Sequence, residues 1–171
     1  MIEVSKTGAA DQASPRELFR FFLRLPILLY RFRLGWLLGR RFLLLTHTGR
    51  KSGALHSTVL EILRYDQSSH CCYIASGWGI KSQWYRNVRK NPRVQYTLGF
   101  QQRVGRVEQL PIERAERELR DYGSRHPTAI RTLTKFLIGE KFEGGPSQYR
   151  HLAYQVPVLQ LAPIPGGGNA A

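Results

Sequence analysis

The sequence predicts an α+β domain built around a barrel-like, mostly antiparallel sheet with flanking helices. Three observations carry this. Several short strand patterns follow one another through the middle of the chain, joined by loops too short for parallel crossovers. Helical patterns fill the intervals between those strand groups. The 171 residues, 42% hydrophobic and 22% charged, suit one domain with a real core, and no linker or internal repeat divides them.

Residues 1–13 read as a loose polar arm. Ser14-Pro15-Arg16-Glu17 then has the form of a helix start, with Ser14 as N-cap and Pro15 at the first helical position. The segment 14–39 is intensely apolar yet studded with arginine. On a helix Arg16, Arg20, Arg24 and Arg31 share one quadrant, while Leu18, Phe22, Leu25 and Leu29 lie elsewhere. No uninterrupted apolar run there approaches the ~20 residues that a bilayer span needs. Phe42–His47, His56–Arg64 and Cys71–Ser76 are strand patterns, and Lys81–Lys90 is a short helix that Asn91-Pro92 ends. Arg93–Leu98 and Gln101–Gln109 form a hairpin about Gly99-Phe100. Pro111–Arg125 is an amphipathic helix with acids near its positive end, and Thr128–Leu137 is a further helix. Val156–Leu161 is a last strand. The domain is thus expected over 40–163, with 164–171 as a flexible tail.

Charge is the unusual bulk property. The chain holds 26 Lys and Arg against 12 Asp and Glu, a net +14. Half of that surplus, +7, falls in residues 1–51. Such an excess predicts attraction to anions: nucleic acid, an anionic membrane surface, or a phosphorylated or polycarboxylate ligand. The two cysteines, Cys71 and Cys72, are adjacent and point to opposite faces of a strand. They read as small core residues in a reducing compartment, not as a disulfide or a metal site. No metal-ligand cluster stands out, and the N-terminus lacks the pattern of a signal peptide.

Two clusters carry chemistry. Gly49-Arg50-Lys51-Ser52-Gly53 places two cations and a hydroxyl between two strands. Glycines let backbone N–H groups approach an anion, and Arg with Lys supplies a fork and a point charge. The same pentad also suits a solvated basic turn, and it is not a Walker loop, whose lysine follows the second glycine. The second cluster, 75-ASGWGIKSQWYRNVRKNP-92, runs from a strand end through a Gly-Trp-Gly turn into a helix with Trp84 and Asn87 on one face. Stacking surface beside an amide suits a flat ligand, and aromatic core residues would give the same pattern.

Taken together the clusters resemble the deazaflavin-dependent nitroreductase and quinone reductase family of split-barrel proteins. Thr48-Gly49-Arg50-Lys51-Ser52-Gly53, Ala75-Ser76, Trp84-Tyr85-x-Asn87 and Asn91-Pro92 match its pattern in order and spacing, over roughly residues 40–161. The resemblance implies a split β-barrel, of the kind that binds FMN in other proteins. It also implies an oxidoreductase that uses the reduced 8-hydroxy-5-deazaflavin coenzyme (coenzyme F-420), a hydride donor with a polyanionic tail. Thr48, Arg50, Lys51 and Ser52 would then hold the tail, Ala75, Ser76 and Gly77 would line the rings, and Trp84 and Asn87 would close the pocket. Nitro-reducing relatives carry a tyrosine cluster after a Tyr-Pro. Here the counterpart is His126-Pro127 with no tyrosine following, so His126 is the candidate proton donor to the acceptor. Tyr149 is a second candidate on the acceptor side, and Tyr122 and Tyr154 are further substrate-side candidates.

Other assignments compete. A split barrel can hold FMN, haem or a fatty acid instead. A nucleic-acid binder fits the net charge and the interleaved 84-WYRNVRK-90, but no recognised nucleic-acid motif is present. The expected acceptor is a quinone-like conjugated molecule such as menaquinone. The expected location is the cytoplasm, peripheral to the inner face of the membrane, as a monomer or homodimer. Segment 14–41 either lies in an anionic membrane surface or covers the barrel.

Overall fold

The computed structural model describes residues 41–138 and 142–168. The expected N-terminal arm and the basic helical segment 14–39 lie outside these residues. Six antiparallel strands form a closed barrel in the order β1-β2-β3-β6-β5-β4. They are β1 (Phe42–Thr48), β2 (Leu55–Tyr65), β3 (Cys72–Ala75), β4 (Arg93–Leu98), β5 (Gln101–Gln109) and β6 (Val158–Gly168). Helix α1 (Gln83–Lys90) connects β3 to β4, after a single 3-10 turn at Gly79–Lys81. Helices α2 (Ile112–Arg125), α3 (Pro127–Ile138) and α4 (Pro146–Gln155) all fall between β5 and β6.

Strict alternation makes the barrel. Along β1 the residues Leu43, Leu45 and His47 turn inward, and their neighbours face out. The β1–β2 register pairs Leu43 with Leu60 and His47 with His56. Pairing of β1 with β4 closes the ring, so no core strand is left with an open edge. Leu43, Leu45, Ile62, Cys72, Ile74, Val94, Tyr96, Leu159 and Leu161 fill the interior. Helix α1 adds Tyr85 and Val88 to this core and so plugs one end of the barrel. The Tyr85 hydroxyl donates to Gln109 Oε1 at 2.8 Å, which ties the plug to β5.

A second core lies outside the barrel, between β2, β3 and the helices. It contains Leu63, Cys71, Tyr73, Leu119, Tyr122, Ile130, Tyr149, Leu152 and Val158. The Arg64 guanidinium meets the Glu118 carboxylate side-on, at 2.8 Å from Nε and 2.6 Å from Nη2, and fixes β2 to α2. The adjacent cysteines obey the alternation rule. Cys71 joins the outer core and Cys72 the inner one, and both are free thiols.

Two elements differ from the sequence reading. Helix α4 is an addition. Gly144-Gly145-Pro146 has the look of a loop, but Gln148 Oε1 accepts the N–H groups of Glu143 (2.9 Å) and Gly144 (3.0 Å) and so starts a helix. The apolar spacing Tyr149, Leu152, Ala153, Val156 was the available signal. Strand β6 also runs to Gly168, so residues 164–168 of the expected tail are strand, and 169–171 lie outside the described residues. The apolar run stops at Leu161, but backbone pairing does not need apolar side chains. Gly105 pairs with Pro163 and Arg103 with Gly168, across a bulge that absorbs the prolines.

Candidate functional site

The turn 49–53 between β1 and β2 faces helix α1 and the 3-10 turn across a cavity of about 1030 Å³. The fold therefore unites the two sequence clusters. Arg50, Lys51, Lys81 and Arg86 line the cavity, together with His47 and His56, and among the described residues no carboxylate does. Four basic side chains gathered about one cavity create a potential that favours a multiply charged anion.

The Arg50 guanidinium is held in place. Its Nη1 donates to Gln83 Oε1 at 2.9 Å and to Asn87 Oδ1 at 2.9 Å, and the Arg50 backbone N–H reaches the same Asn87 oxygen at 3.2 Å. Asn87 is 5% exposed. It sits there because α1 turns Tyr85, Asn87 and Val88 toward the barrel and leaves Arg86, Arg89 and Lys90 in solvent. Its amide orientation follows from these bonds. Oδ1 takes the two Arg50 donors, so Nδ2 faces His47 Nδ1, 3.3 Å away. His47 is 4% exposed, and burial, then repulsion from His56, holds its imidazole below the usual range. The neutral ring accepts the Asn87 N–H at Nδ1.

The turn itself is shaped to receive an anion. Gly49 N–H bonds Ala54 O at 2.7 Å, Gly53 N–H bonds Gly49 O at 2.9 Å, and Ala54 N–H bonds Ser52 Oγ at 3.3 Å. Among the described residues, the N–H groups of Lys51 and Ser52 find no acceptor, and both residues are exposed. A Cβ at position 49 would stand 2.9 Å from both His56 Nε2 and Ser52 Oγ, so a larger residue there would displace those side chains. Opposite stand two indoles. Trp84 is half-buried against the barrel core and Trp78 is 52% exposed. This donor set fits a ligand with a phosphate- or carboxylate-bearing tail and a flat ring system, as the reduced deazaflavin coenzyme has.

Of the residues singled out from the sequence, Arg50, Lys51, Ser52, Trp84 and Asn87 meet at this cavity. Asn87 does so as the anchor of Arg50. Thr48 pairs with Leu55 at the end of β1 and does not line it. Ala75 pairs with Val158, and Gly77 lies toward Leu133 of α3. Ser76 is fully buried: its hydroxyl donates to Gly79 O at 2.7 Å and shares a 2.8 Å hydrogen bond with Ser82 Oγ. That hydroxyl shapes the turn below the cavity, leaving no free polar group for a ligand. His126 ends α2 and packs against Tyr122 at 4.9 Å between ring centroids. Tyr149 is 7% exposed in the outer core, edge-on to Phe142 and hard against Gly123. Neither lines the cavity. His47, His56, Trp78, Lys81, Gln83 and Arg86 do, and the sequence reading passed over them. Their one signal was strand and helix periodicity about the motifs.

A family model described as "F420H(2)-dependent quinone reductase" matches residues 33–130. No curated protein matches the chain at a significant level. Among solved structures, HutZ, titled the heme storage protein from Vibrio cholerae, aligns with TM-score 0.52 and 14% identity, over 84% of this chain and 92% of that one. Atu2129 of Agrobacterium tumefaciens, of unknown function, aligns with TM-score 0.51 and 16% identity, over 90% of this chain and 58% of that one. A reductase titled FDR-A aligns with TM-score 0.45 and 20% identity, over 72% of this chain and 95% of that one. At these identities the likeness is one of fold, the split barrel.

Proposed function

Because the matched residues make this chain a member of the F420H(2)-dependent quinone reductase family, and so an oxidoreductase, we propose that it binds the reduced deazaflavin coenzyme in the cavity between turn 49–53 and helix α1. One observation carries this reading: the Arg50 guanidinium, clamped by Asn87 and Gln83, faces a cavity that the described residues line with cations and no carboxylate. Arg50, Lys51 and the open N–H groups of Lys51 and Ser52 hold the anionic tail. Lys81 and Arg86 extend the positive surface along α1. Trp84 and Trp78 give flat apolar walls that exclude water from the ring system. Bound there, the reduced deazaflavin supplies a hydride, and the protein binds, orients and shields it. The acceptor is quinone-like and approaches from the open side of the cavity. His126 and Tyr149 support the helical layer in this reading.

Because Arg50 is already immobilised, little side-chain entropy is lost when it meets an anion, so its contact keeps most of its value. Removing one such charge-assisted contact costs ~1.5–3 kcal/mol, roughly ten- to hundredfold in affinity. The test is titration of wild type and Arg50→Ala with the reduced coenzyme, with the visible spectrum distinguishing bound deazaflavin from FMN or haem. Equal dissociation constants would remove the anion-cradle role.

The same reading places the domain at an anionic membrane surface, where a lipid-soluble quinone resides. Its support is the arginine-studded apolar sequence of residues 14–41 together with the net charge of +14. Among the described residues no helix is long and apolar enough to cross a membrane.

A further inference from the structure

His47 belongs to no recognised motif, yet it is the most buried side chain on the cavity wall at 4% exposed. Among the described residues its one hydrogen-bond partner is the Asn87 amide, through Nδ1 at 3.3 Å. That amide can present only one face to each side. When Nδ2 donates to His47, Oδ1 points at Arg50 and accepts both of its N–H groups, at 2.9 and 3.2 Å. If the ring carried a proton on Nδ1, two donors would face each other. Asn87 would turn over and offer Arg50 an NH₂ group instead of a carbonyl. We infer that His47 is a positioning residue for anion binding, whose neutral Nδ1 sets the Asn87 amide and through it holds Arg50 in the cavity. The inference rests on the anion-cradle reading of Arg50 given above.

The charges around the ring agree in sign. His56 faces it across the β1–β2 pair at 5.9 Å between centroids, Arg50 and Lys51 approach from the turn, and Lys81 and Arg86 from the helix side. Among the described residues no carboxylate lines the cavity to favour an imidazolium. The ring is therefore held neutral, as the acceptor role requires. A direct electrostatic role for His47 would act in the opposite sense. An added positive charge beside an anion site strengthens binding on acidification, whereas loss of the clamp removes the contribution of Arg50.

The test uses the full chain and inorganic sulfate, whose charge is constant from pH 5 to 8, followed by amide NMR shifts of Lys51 and Ser52. His47→Asn keeps an acceptor where Nδ1 stands, and His47→Phe keeps a ring without one. Each is made alone and with Arg50→Ala, and melting curves establish that each variant is folded. His47→Phe should weaken sulfate binding by about tenfold, as Arg50→Ala does, and add nothing in the Arg50→Ala background. His47→Asn should bind within about threefold of wild type, a difference below one hydrogen bond. On acidification the Asn87 side-chain amide resonances should move in wild type and stay fixed in His47→Asn. Additive losses from His47→Phe and Arg50→Ala would overturn the inference, as would wild-type binding by His47→Phe. If Arg50→Ala binds sulfate like wild type, the cradle reading itself fails and takes the positioning role with it.

Discussion

Asn87 shows what a motif letter hides. As a sequence signal it marked a hydrogen-bonding group beside an indole, and it read as a contact to the ligand. In the fold its oxygen accepts from Arg50 and its nitrogen faces His47, so its observed place is beneath the guanidinium. Ser76 is similar: its hydroxyl closes the turn at Gly79. Motif residues were legible as positions, but a linear pattern carries no record of which partner a polar group will find. The cysteines were legible in full, because alternation alone divides neighbours between faces. Burial pushes the Cys72 thiol up to about 12, and both sulfurs belong to buried residues. Ellman's reagent at pH 8 should therefore leave the native protein unlabelled and titrate two thiols in denaturant. Rapid labelling of the folded chain would contradict this packing.

At the scale of elements, the six strands and helices α1 to α3 could be read from periodicity, and the β4–β5 hairpin to the residue. What could not be read was the support under α1. The 3-10 turn before it rests on the end of α4, an element that the sequence reading lacked altogether. A Cβ at Gly79 would stand 2.8 Å from the backbone oxygen of Gln155, and Gly79 has φ +62°. Gly79→Ala combines a left-handed strain with a clash against backbone, neither of which a rotamer change relieves. Thermal or urea unfolding should show a loss of ~1–3 kcal/mol. The ligand should also bind more weakly, since Trp78, Lys81 and Ser82 flank that turn on the cavity wall. An unchanged midpoint would mean that α4 does not brace the site.

For the whole molecule, charge was the property best read from composition and least able to name a partner. The structure sharpens it by collecting Arg50, Lys51, Lys81 and Arg86 about one cavity, yet most of the surplus lies elsewhere. Residues 1–40 hold seven Lys and Arg against three acids, a net +4, and this is the share proposed above to meet a membrane. Full-length protein should sediment with anionic vesicles, less with neutral ones, and release in high salt, because each exposed arginine adds about 1 kcal/mol at such a surface. A chain beginning at Arg41 should stay in the supernatant, its fold checked by circular dichroism. Equal partitioning of the two would leave the N-terminal residues without a membrane role.

Strand β3 has only four residues, and Cys72, Tyr73 and Ile74 are buried on both of its faces. It is a party wall: Cys72 and Ile74 furnish one room, Tyr73 and its neighbour Cys71 the other. Neither room can be emptied while the wall stands, and neither can stand once it is gone. Barrel and helical layer are thus tenants of one lease, and they should leave together. In a chain carrying Trp36→Phe and Trp78→Phe, indole fluorescence from Trp84 at the barrel's plugged end and helical ellipticity, to which α2 to α4 contribute most of the described helix, should trace a single coincident melting curve.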